Sequence, residues 1–314
     1  MLKDEKPFII NKAQSSQTSA VVFDSPHSGR TLPLHFKYSC EEDKLLDFGD
    51  LHVEKLLADI PATGVPVLES LIHRACVDLN RHRFEIDPND VRGGWDKPHS
   101  LSHYTKSGMG VIPRRLGRPH DNPLTPIFNE AAKPDAREVN YRFDHYHRPY
   151  YAALDKLLKT ARKEHGFYVH VDMHSFLRRP EECSDDIIIG DLCGRACGTD
   201  IKDFVADHFR DAGFTVDFNG LFQGGALVQH TTSPKVGHHA IQIEVARDLY
   251  LADNGRDYDE PKAKKLQDAL TSLAIALDQF TRDPAHATDL RAGSPKIAAQ
   301  LSRKAASIGP KPPV

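Results

Sequence analysis

Several side chains suited to chemistry follow short apolar stretches of this sequence. His27 comes shortly after the run at 21–23, the segment DLNR closes the run at 75–79, and His174 follows the alternating run at 167–173. In an open α/β sheet, ligands bind in the crevice beyond the carboxyl ends of the strands. If these runs are strands, their polar residues meet at that edge. The candidates are His27, Asp47 or Asp50, Arg74, Asn80, Arg81, His174 and Glu244.

Such a set of residues suits hydrolysis of an amide at a metal ion. Two imidazoles and one carboxylate are typical protein ligands of a catalytic zinc, which keeps a fourth position for water. Zinc lowers the pKa of that water toward about 7. A carboxylate that is not a ligand, such as Glu244, can then carry the proton to a leaving amine. An arginine near the metal can stabilise an oxyanion, and an asparagine beside an arginine can hold a substrate carboxylate.

Each candidate also has a purely structural interpretation. A carboxylate within an apolar strand is costly unless it is paired or has a function, and paired buried charges are common in scaffolds. The alternatives left open are a simple turn at His27, a core histidine at His174, an ion pair of Asp78 with Arg81, and pairing of Glu244 with Arg247 or Arg74.

The composition favours a protein that acts on a small polar molecule. The chain has 314 residues, and its 41 Lys and Arg nearly balance its 44 Asp and Glu, so no basic face for nucleic acid or anionic membrane is expected. Its first 20 residues lack an apolar leader, and no window is long enough to span a bilayer. We therefore expect a cytoplasmic protein. The five cysteines are irregularly spaced and predicted to be free, with Cys193 and Cys197 as a less favoured metal pair.

The periodicity of the apolar residues predicts an α/β fold. Short apolar or alternating runs predict strands at 21–23, 65–68, 75–79, 167–173, 186–190, 214–218 and 240–247. Helical spacing predicts helices at 41–60, where Gly49 weakens the middle, and at 136–165, 201–212 and 261–280. No glycine-rich segment has the spacing of a nucleotide-binding loop.

Three segments differ from this pattern. Residues 84–134 are rich in Pro, Gly, His and Asp, and because long loops in compact domains are usually functional, we expect this segment to cover the crevice. Residues 1–19 are a polar lead-in, and residues 283–314 are expected to be a loosely held tail. Without repeats or a domain-scale linker, one domain over 20–282 is predicted.

Five ordered motifs resemble those of the N-formylglutamate amidohydrolase family, which is related to the zinc carboxypeptidases and the aspartoacylases. They are SPHSG at 25–29, RACVDLNR at 74–81, DMHSF at 172–176, NGLFQGG at 219–225 and QIEVARDLY at 242–250. The resemblance covers about residues 20–282. It implies a phosphorylase/hydrolase-like, zinc carboxypeptidase-like domain with a mixed, largely parallel sheet flanked by helices, and one zinc ion per chain.

The resemblance also implies roles for the matched residues. They are zinc ligands at His27 and His174, the general base at Glu244, the oxyanion-stabilising arginine at Arg74, and the pair that grips the substrate carboxylate at Asn80 and Arg81. The remaining ligand departs from the carboxypeptidase pattern, which has a Glu three residues after the first His where this chain has Arg30. We expect Asp50 to supply this carboxylate, with Asp47 next, because both lie on the helix after the loop.

The function implied by the resemblance is zinc-dependent cleavage of the formyl amide of N-formyl-L-glutamate, or of a closely related N-acyl amino acid, in histidine degradation. The expected partner is a small carboxylate substrate rather than nucleic acid or membrane, and an oligomer is left open. The alternative is a family member that has lost catalysis and binds small acidic ligands. Arg30, in place of the expected Glu, keeps this alternative open.

Overall fold

Most of the predicted apolar runs form strands. The computed structural model of the protein describes residues 6–15, 17–117, 125–179 and 181–307. Within these ranges the strands are β1 (Phe8–Asn11), β2 (Val21–Ser25), β3 (Val67–Ser70), β4 (Arg115–Leu116), β5 (Thr125–Pro126), β6 (Tyr168–Phe176), β7 (Ile187–Gly190), β8 (Val216–Phe218) and β9 (His238–Ala246).

Five strands lie side by side in the order β2-β6-β9-β7-β8, β1 is the neighbour of β3, and β4 and β5 form a separate antiparallel pair. The pairs β2–β6, β6–β9 and β7–β8 are parallel, whereas β7 runs antiparallel to β9. Every residue of β6 is buried, as are all but the first of β9, as expected for strands at the centre of a sheet. The predicted mixed, largely parallel α/β fold is confirmed.

Helices connect and flank the strands. They are α1 (Glu42–Leu46), α2 (Val53–Leu56), α3 (His103–Lys106), α4 (Ala136–Arg142), α5 (Arg148–His165), α6 (Thr199–Asp211), α7 (Ala226–Thr231), α8 (Glu260–Arg282), α9 (Pro284–Leu290) and α10 (Pro295–Ser307). The predicted helix at 136–165 comprises α4, a π-helical turn at Phe143–His147 and α5. Among the described residues, none of the helices combines the length and apolarity needed to cross a membrane.

The chain divides into two compact units. Unit 1 contains the described residues up to 10 together with 25–54 and 68–154, and unit 2 contains 11–24, 55–67 and the described residues from 155 onward. Unit 1 holds α1, α3, α4 and the β4–β5 pair. Unit 2 holds β6 to β9 and α6 to α10. The single-domain assignment over 20–282 stays a prediction.

Two predicted elements are wrong because local polar contacts compete with regular structure. The predicted helix at 41–60 breaks after α1, where the Asp50 backbone N–H donates to the carbonyl of His27 and His52 adopts a φ of 61°. The predicted strand at 75–79 is a series of turns. There the Ala75 N–H donates to His73 Nδ1, and the Asp78 carboxylate accepts from the Asn80 N–H. Side chains that bond nearby backbone groups favour turns over strands.

The ends of the described chain are more ordered than predicted. The lead-in contains β1, whose neighbour Pro7 accepts a hydrogen bond from the Leu71 N–H. The expectation of a loosely held tail at 283–314 is wrong for its described part, 283–307. Leu290 and Ile297 on α9 and α10 are about 2% exposed, and Gln300 accepts from the Thr199 N–H. The tail is amphipathic, and its apolar side chains provide the burial that holds it.

Candidate active site

His27 is held in a fixed position at the exit of β2. Its imidazole is 3% exposed, and Gly29 follows two residues later. A Cβ at Gly29 would lie 2.4 Å from the carbonyl oxygen of Ile72, so only glycine permits this approach of two backbones. The Asp50 N–H donates to the His27 carbonyl over 2.9 Å. The turn after α1 therefore brings the Asp50 carboxylate beside the imidazole.

The two nitrogens of His27 face different carboxylates. Nε2 lies 2.7 Å from Asp78 Oδ1, and Nδ1 lies 3.7 Å from Asp50 Oδ2. Burial alone would raise the pKa of Asp78, but the charge of Arg74 and the hydrogen bond with His27 hold it well below its usual value. An ionised carboxylate can only accept, so Nε2 carries the hydrogen in this bond. The other ring nitrogen, Nδ1, faces Asp50.

Arg74 closes this arrangement from the other side of Asp78. Its Nη2 lies 2.5 Å from Asp78 Oδ2, and its guanidinium stacks 4.5 Å from the centre of the Phe48 ring. The other guanidinium nitrogens of Arg74 make no hydrogen bond to described residues. Arg74 thus fixes the carboxylate that orients His27 and retains N–H groups for another acceptor.

His174 and Glu244 are direct neighbours on parallel strands of unit 2. The register of β6 and β9 pairs His174 with Glu244, and both side chains are about 95% buried or more. Side chains two residues apart on a strand share a face. Asp172 accordingly lies on the face of His174, with its Oδ1 3.0 Å from His174 Nε2. Asp172 thus lies beside one nitrogen of the His174 ring.

Glu244 is anchored by Gln242, which precedes it by two residues on β9. Gln242 Nε2 donates to Glu244 Oε1 over 2.7 Å, and Gln242 Oε1 accepts from the Gly225 N–H over 2.7 Å. Gly225 ends the NGLFQGG motif, so this turn is tied to the strand that carries the glutamate. A hydrogen bond from a neutral amide constrains the carboxylate and leaves its charge in place.

The predicted metal ligands are divided between the two units. His27 and Asp50 lie side by side in unit 1, and His174 lies on β6 of unit 2. All three residues are buried. In the described part of the chain, no group of three or more potential metal ligands includes Asp47, the second choice for the carboxylate, or Cys193 and Cys197. All five cysteines are free thiols, as predicted.

Asn80 and Arg81, the pair expected to bind the substrate carboxylate, lie on the turn after Asp78. Asn80 is buried and Arg81 is partly exposed. The Arg81 guanidinium donates from Nε to the Met109 carbonyl and from Nη1 to the Asn80 carbonyl. The alternative of an Asp78–Arg81 ion pair is wrong, because Arg74 takes the free oxygen of Asp78.

Sequence reasoning missed the residues that orient the predicted ligands. For Asp172 a signal existed, because it precedes His174 by two residues on a strand and must share its face. Gln242 stands in the same relation to Glu244. Asp78 gave no such signal, because its 51-residue separation from His27 is bridged by irregular turns.

Known proteins resemble this chain over most of its length. Residues 19–251 match the family of N-formylglutamate amidohydrolases. The N-formylglutamate deformylase of Pseudomonas putida is 26% identical over 82% of this chain and 91% of its own, and that of Pseudomonas aeruginosa is 26% identical over 74% and 82%. The crystal structure of N-formylglutamate amidohydrolase from Ralstonia eutropha JMP134 is 29% identical, with a TM-score of 0.81 over 88% of this chain and 99% of that one. With the family match covering well over half of the sequence, the chain belongs to the N-formylglutamate amidohydrolase family.

Proposed function

We propose that the protein is a zinc-dependent amide hydrolase that converts N-formyl-L-glutamate to formate and L-glutamate, as a cytoplasmic step of histidine degradation. The observation that supports this most directly is a set of three buried side chains of suitable chemistry, His27, Asp50 and His174, in a chain of this family. We propose that these three residues bind one ion and call them the metal cluster. Two Pseudomonas relatives are N-formylglutamate deformylases, which supports the choice of substrate.

The residues of the cluster suit zinc. Two imidazoles and a carboxylate are a common ligand set of catalytic zinc. Two ligands bound at about 2.0 Å by a tetrahedral zinc are about 3.3 Å apart, close to the 3.7 Å between His27 Nδ1 and Asp50 Oδ2. Each imidazole also has an aspartate beside its Nε2, and a carboxylate beside one ring nitrogen is typical of metal-binding histidines. When bound, zinc supplies Lewis acidity and activates water at neutral pH.

The remaining residues would move the proton and bind the charges of the substrate. We assign Glu244 as the general base that takes a proton from water and returns it to the leaving amine. Gln242 keeps its carboxylate in one orientation through the 2.7 Å hydrogen bond. Arg74, with N–H groups to spare, would donate to the oxyanion of the tetrahedral intermediate. Asn80 and Arg81 would bind a carboxylate of the substrate, which places the formyl amide for attack.

The first experiment separates the proton-transfer role of Glu244 from metal binding. Glu244→Gln keeps the shape and one acceptor of the side chain but cannot accept a proton, so we expect formate release to fall at least about 100-fold. Zinc content, measured by elemental analysis, should stay at one ion per chain. The exposed Glu260 at the start of α8 offers a matched control, Glu260→Gln, that should leave both quantities unchanged. Loss of zinc in Glu244→Gln would make Glu244 a ligand instead.

A second experiment tests the metal cluster itself. His174→Asn should lose zinc and activity together, while the same change at the exposed His230, which pairs with Asp155, should lose neither. A chelator should remove activity from the unmodified protein, and added zinc should restore it. A protein that binds L-glutamate without metal and releases no formate would instead support the inactive binding protein.

A further inference from the structure

We propose that Tyr104, within the 84–134 segment, sets the orientation of the Arg81 guanidinium and thereby the affinity for a substrate carboxylate. The inference rests on the carboxylate-binding role given to Arg81 under the proposed function. It assigns to this segment a positioning role in place of the simple cover expected from sequence.

Three contacts fix the Arg81 guanidinium. Its Cζ lies 4.0 Å from the centre of the Tyr104 ring, Nε donates to the Met109 carbonyl over 3.0 Å, and Nη1 donates to the Asn80 carbonyl over 2.9 Å. Both carbonyls are uncharged acceptors, and among the described residues Arg81 forms no ion pair within 4.0 Å. The third nitrogen, Nη2, has no hydrogen bond there either. The group thus keeps its positive charge and one free amino group while its plane is held.

The part of the segment that contacts Arg81 is itself rigid. Ser102 caps α3 by accepting from the Thr105 N–H, and its hydroxyl donates to Glu85. The Met109 N–H donates to the Tyr104 carbonyl over 2.8 Å. The residue that provides the ring is therefore bonded directly to the residue that provides the carbonyl, and the two act on Arg81 as one surface.

The backbone that carries Arg81 is fixed from two directions. The Asp78 N–H donates to the Val111 carbonyl over 2.9 Å, next to Gly110, where a Cβ would lie 2.3 Å from the Glu85 carbonyl oxygen. From helix α5, the Tyr151 hydroxyl donates to the Leu79 carbonyl over 2.9 Å. His147 Nε2 lies 3.2 Å from the Arg81 carbonyl, and burial lowers the pKa of this histidine to about 4, with the carbonyl acting in the other direction. With the backbone held, the side-chain direction depends on the ring and the carbonyl.

A guanidinium stacked on an aromatic ring is already oriented so that its in-plane N–H groups can bind a carboxylate. A flexible arginine must first lose rotamer freedom to reach this orientation. Without the ring, that entropy has to be lost when the carboxylate binds. We therefore expect Tyr104→Leu to raise the KM for N-formyl-L-glutamate and the dissociation constant of L-glutamate about 2- to 5-fold, the range of an exposed cation–π contact. The kcat and the melting temperature should not change.

The test measures kcat, KM and the calorimetric dissociation constant of L-glutamate for the purified full-length protein and three variants. Tyr104→Phe keeps the ring and should keep the wild-type values to within about 1.5-fold. Leu101→Ala, at a 45% exposed side chain of the same segment, is the matched control and should have no effect. Arg81→Lys should weaken L-glutamate binding more than Tyr104→Leu does.

The outcomes separate this inference from the proposed function. An unchanged dissociation constant in Tyr104→Leu, with a weakened one in Arg81→Lys, overturns the role of Tyr104 alone. A fall in kcat or melting temperature, or an equal effect in Leu101→Ala, shows a general structural role and also overturns it. Failure of the unmodified protein to bind L-glutamate contradicts the inference, whereas absence of formate release with intact L-glutamate binding contradicts only the proposed reaction.

Discussion

Replacing Asp78 by Asn tests whether this buried carboxylate organises the metal cluster. Its Oδ1 accepts from His27 Nε2 and the Asn80 N–H, and its Oδ2 accepts from Arg74 Nη2. An asparagine has one oxygen and one NH₂ group, so in either orientation a donor faces a donor. The less damaging orientation keeps the His27 and Asn80 contacts and loses the Arg74 ion pair.

The expected cost follows from the burial of this pair. Removing one partner of a buried ion pair costs about 3–5 kcal/mol. Arg74 is 14% exposed and regains some hydration, so we expect the metal-free protein to lose about 2–4 kcal/mol of unfolding free energy. Because an aspartate behind a metal-binding histidine typically contributes 10- to 100-fold in affinity, zinc binding should weaken by about that factor.

Urea unfolding of the metal-free protein measures the unfolding free energy, and competition with a chromophoric chelator measures the zinc affinity. Asp90→Asn is the matched control, because Asp90 is also buried and lies 3.1 Å from an arginine, Arg114, but contacts no predicted ligand. It should leave zinc affinity unchanged. Wild-type zinc affinity in Asp78→Asn would show that the aspartate does not orient His27, and an unchanged urea midpoint would refute the estimate for the ion pair.

Two further predictions concern unit 2. Burial lowers the pKa of the fully buried His239 from 6.5 to about 4, although its hydrogen bond to the Leu290 carbonyl acts in the opposite direction. Between pH 4 and 6.5 this histidine is therefore protonated in the unfolded chain and neutral in the folded protein. The contribution of neutral His239 to the unfolding free energy is present above pH 6.5 and is lost as the pH falls to 4, a loss of roughly 3 kcal/mol. Urea midpoints measured at several pH values should show this loss, and His239→Gln should remove it. Ile297→Ala, which empties a buried position on α10, should cost about 2–4 kcal/mol by the same assay; no change would mean that α10 does not stabilise the fold.

The parts of the fold that the sequence predicted are those in which one periodicity dominates. β6, β9 and α8 carry long alternating or helical patterns, and the structure has them within a few residues of the predicted bounds. The same alternation placed Glu244 within a strand, as found, whereas His174, expected just beyond its strand, lies within β6. Motif spacing, in turn, identified the family.

Prediction failed where a few polar contacts outweigh an apolar run. Ala75, Val77 and Leu79 are all buried, as strand residues would be. The backbone there nevertheless forms turns, in which backbone N–H groups donate to the side chains of His73 and Asp78. The pairing of Asp78 with His27 joins residues far apart in sequence through irregular chain, and no local pattern encodes it. The 283–307 region was misjudged for the opposite reason, since its polar composition concealed a few well-placed apolar residues such as Ile297.

The pairing of β6 with β9 depends on the number of residues in the chain between these strands more than on which residues they are. Adding or deleting one residue in the turn at 232–237 would shift β9 by one position against β6. Val245 or Ile243 would then stand beside His174, and the glutamate would point to the other side of the sheet. Natural variants should therefore differ in composition along this turn far more readily than in its number of residues.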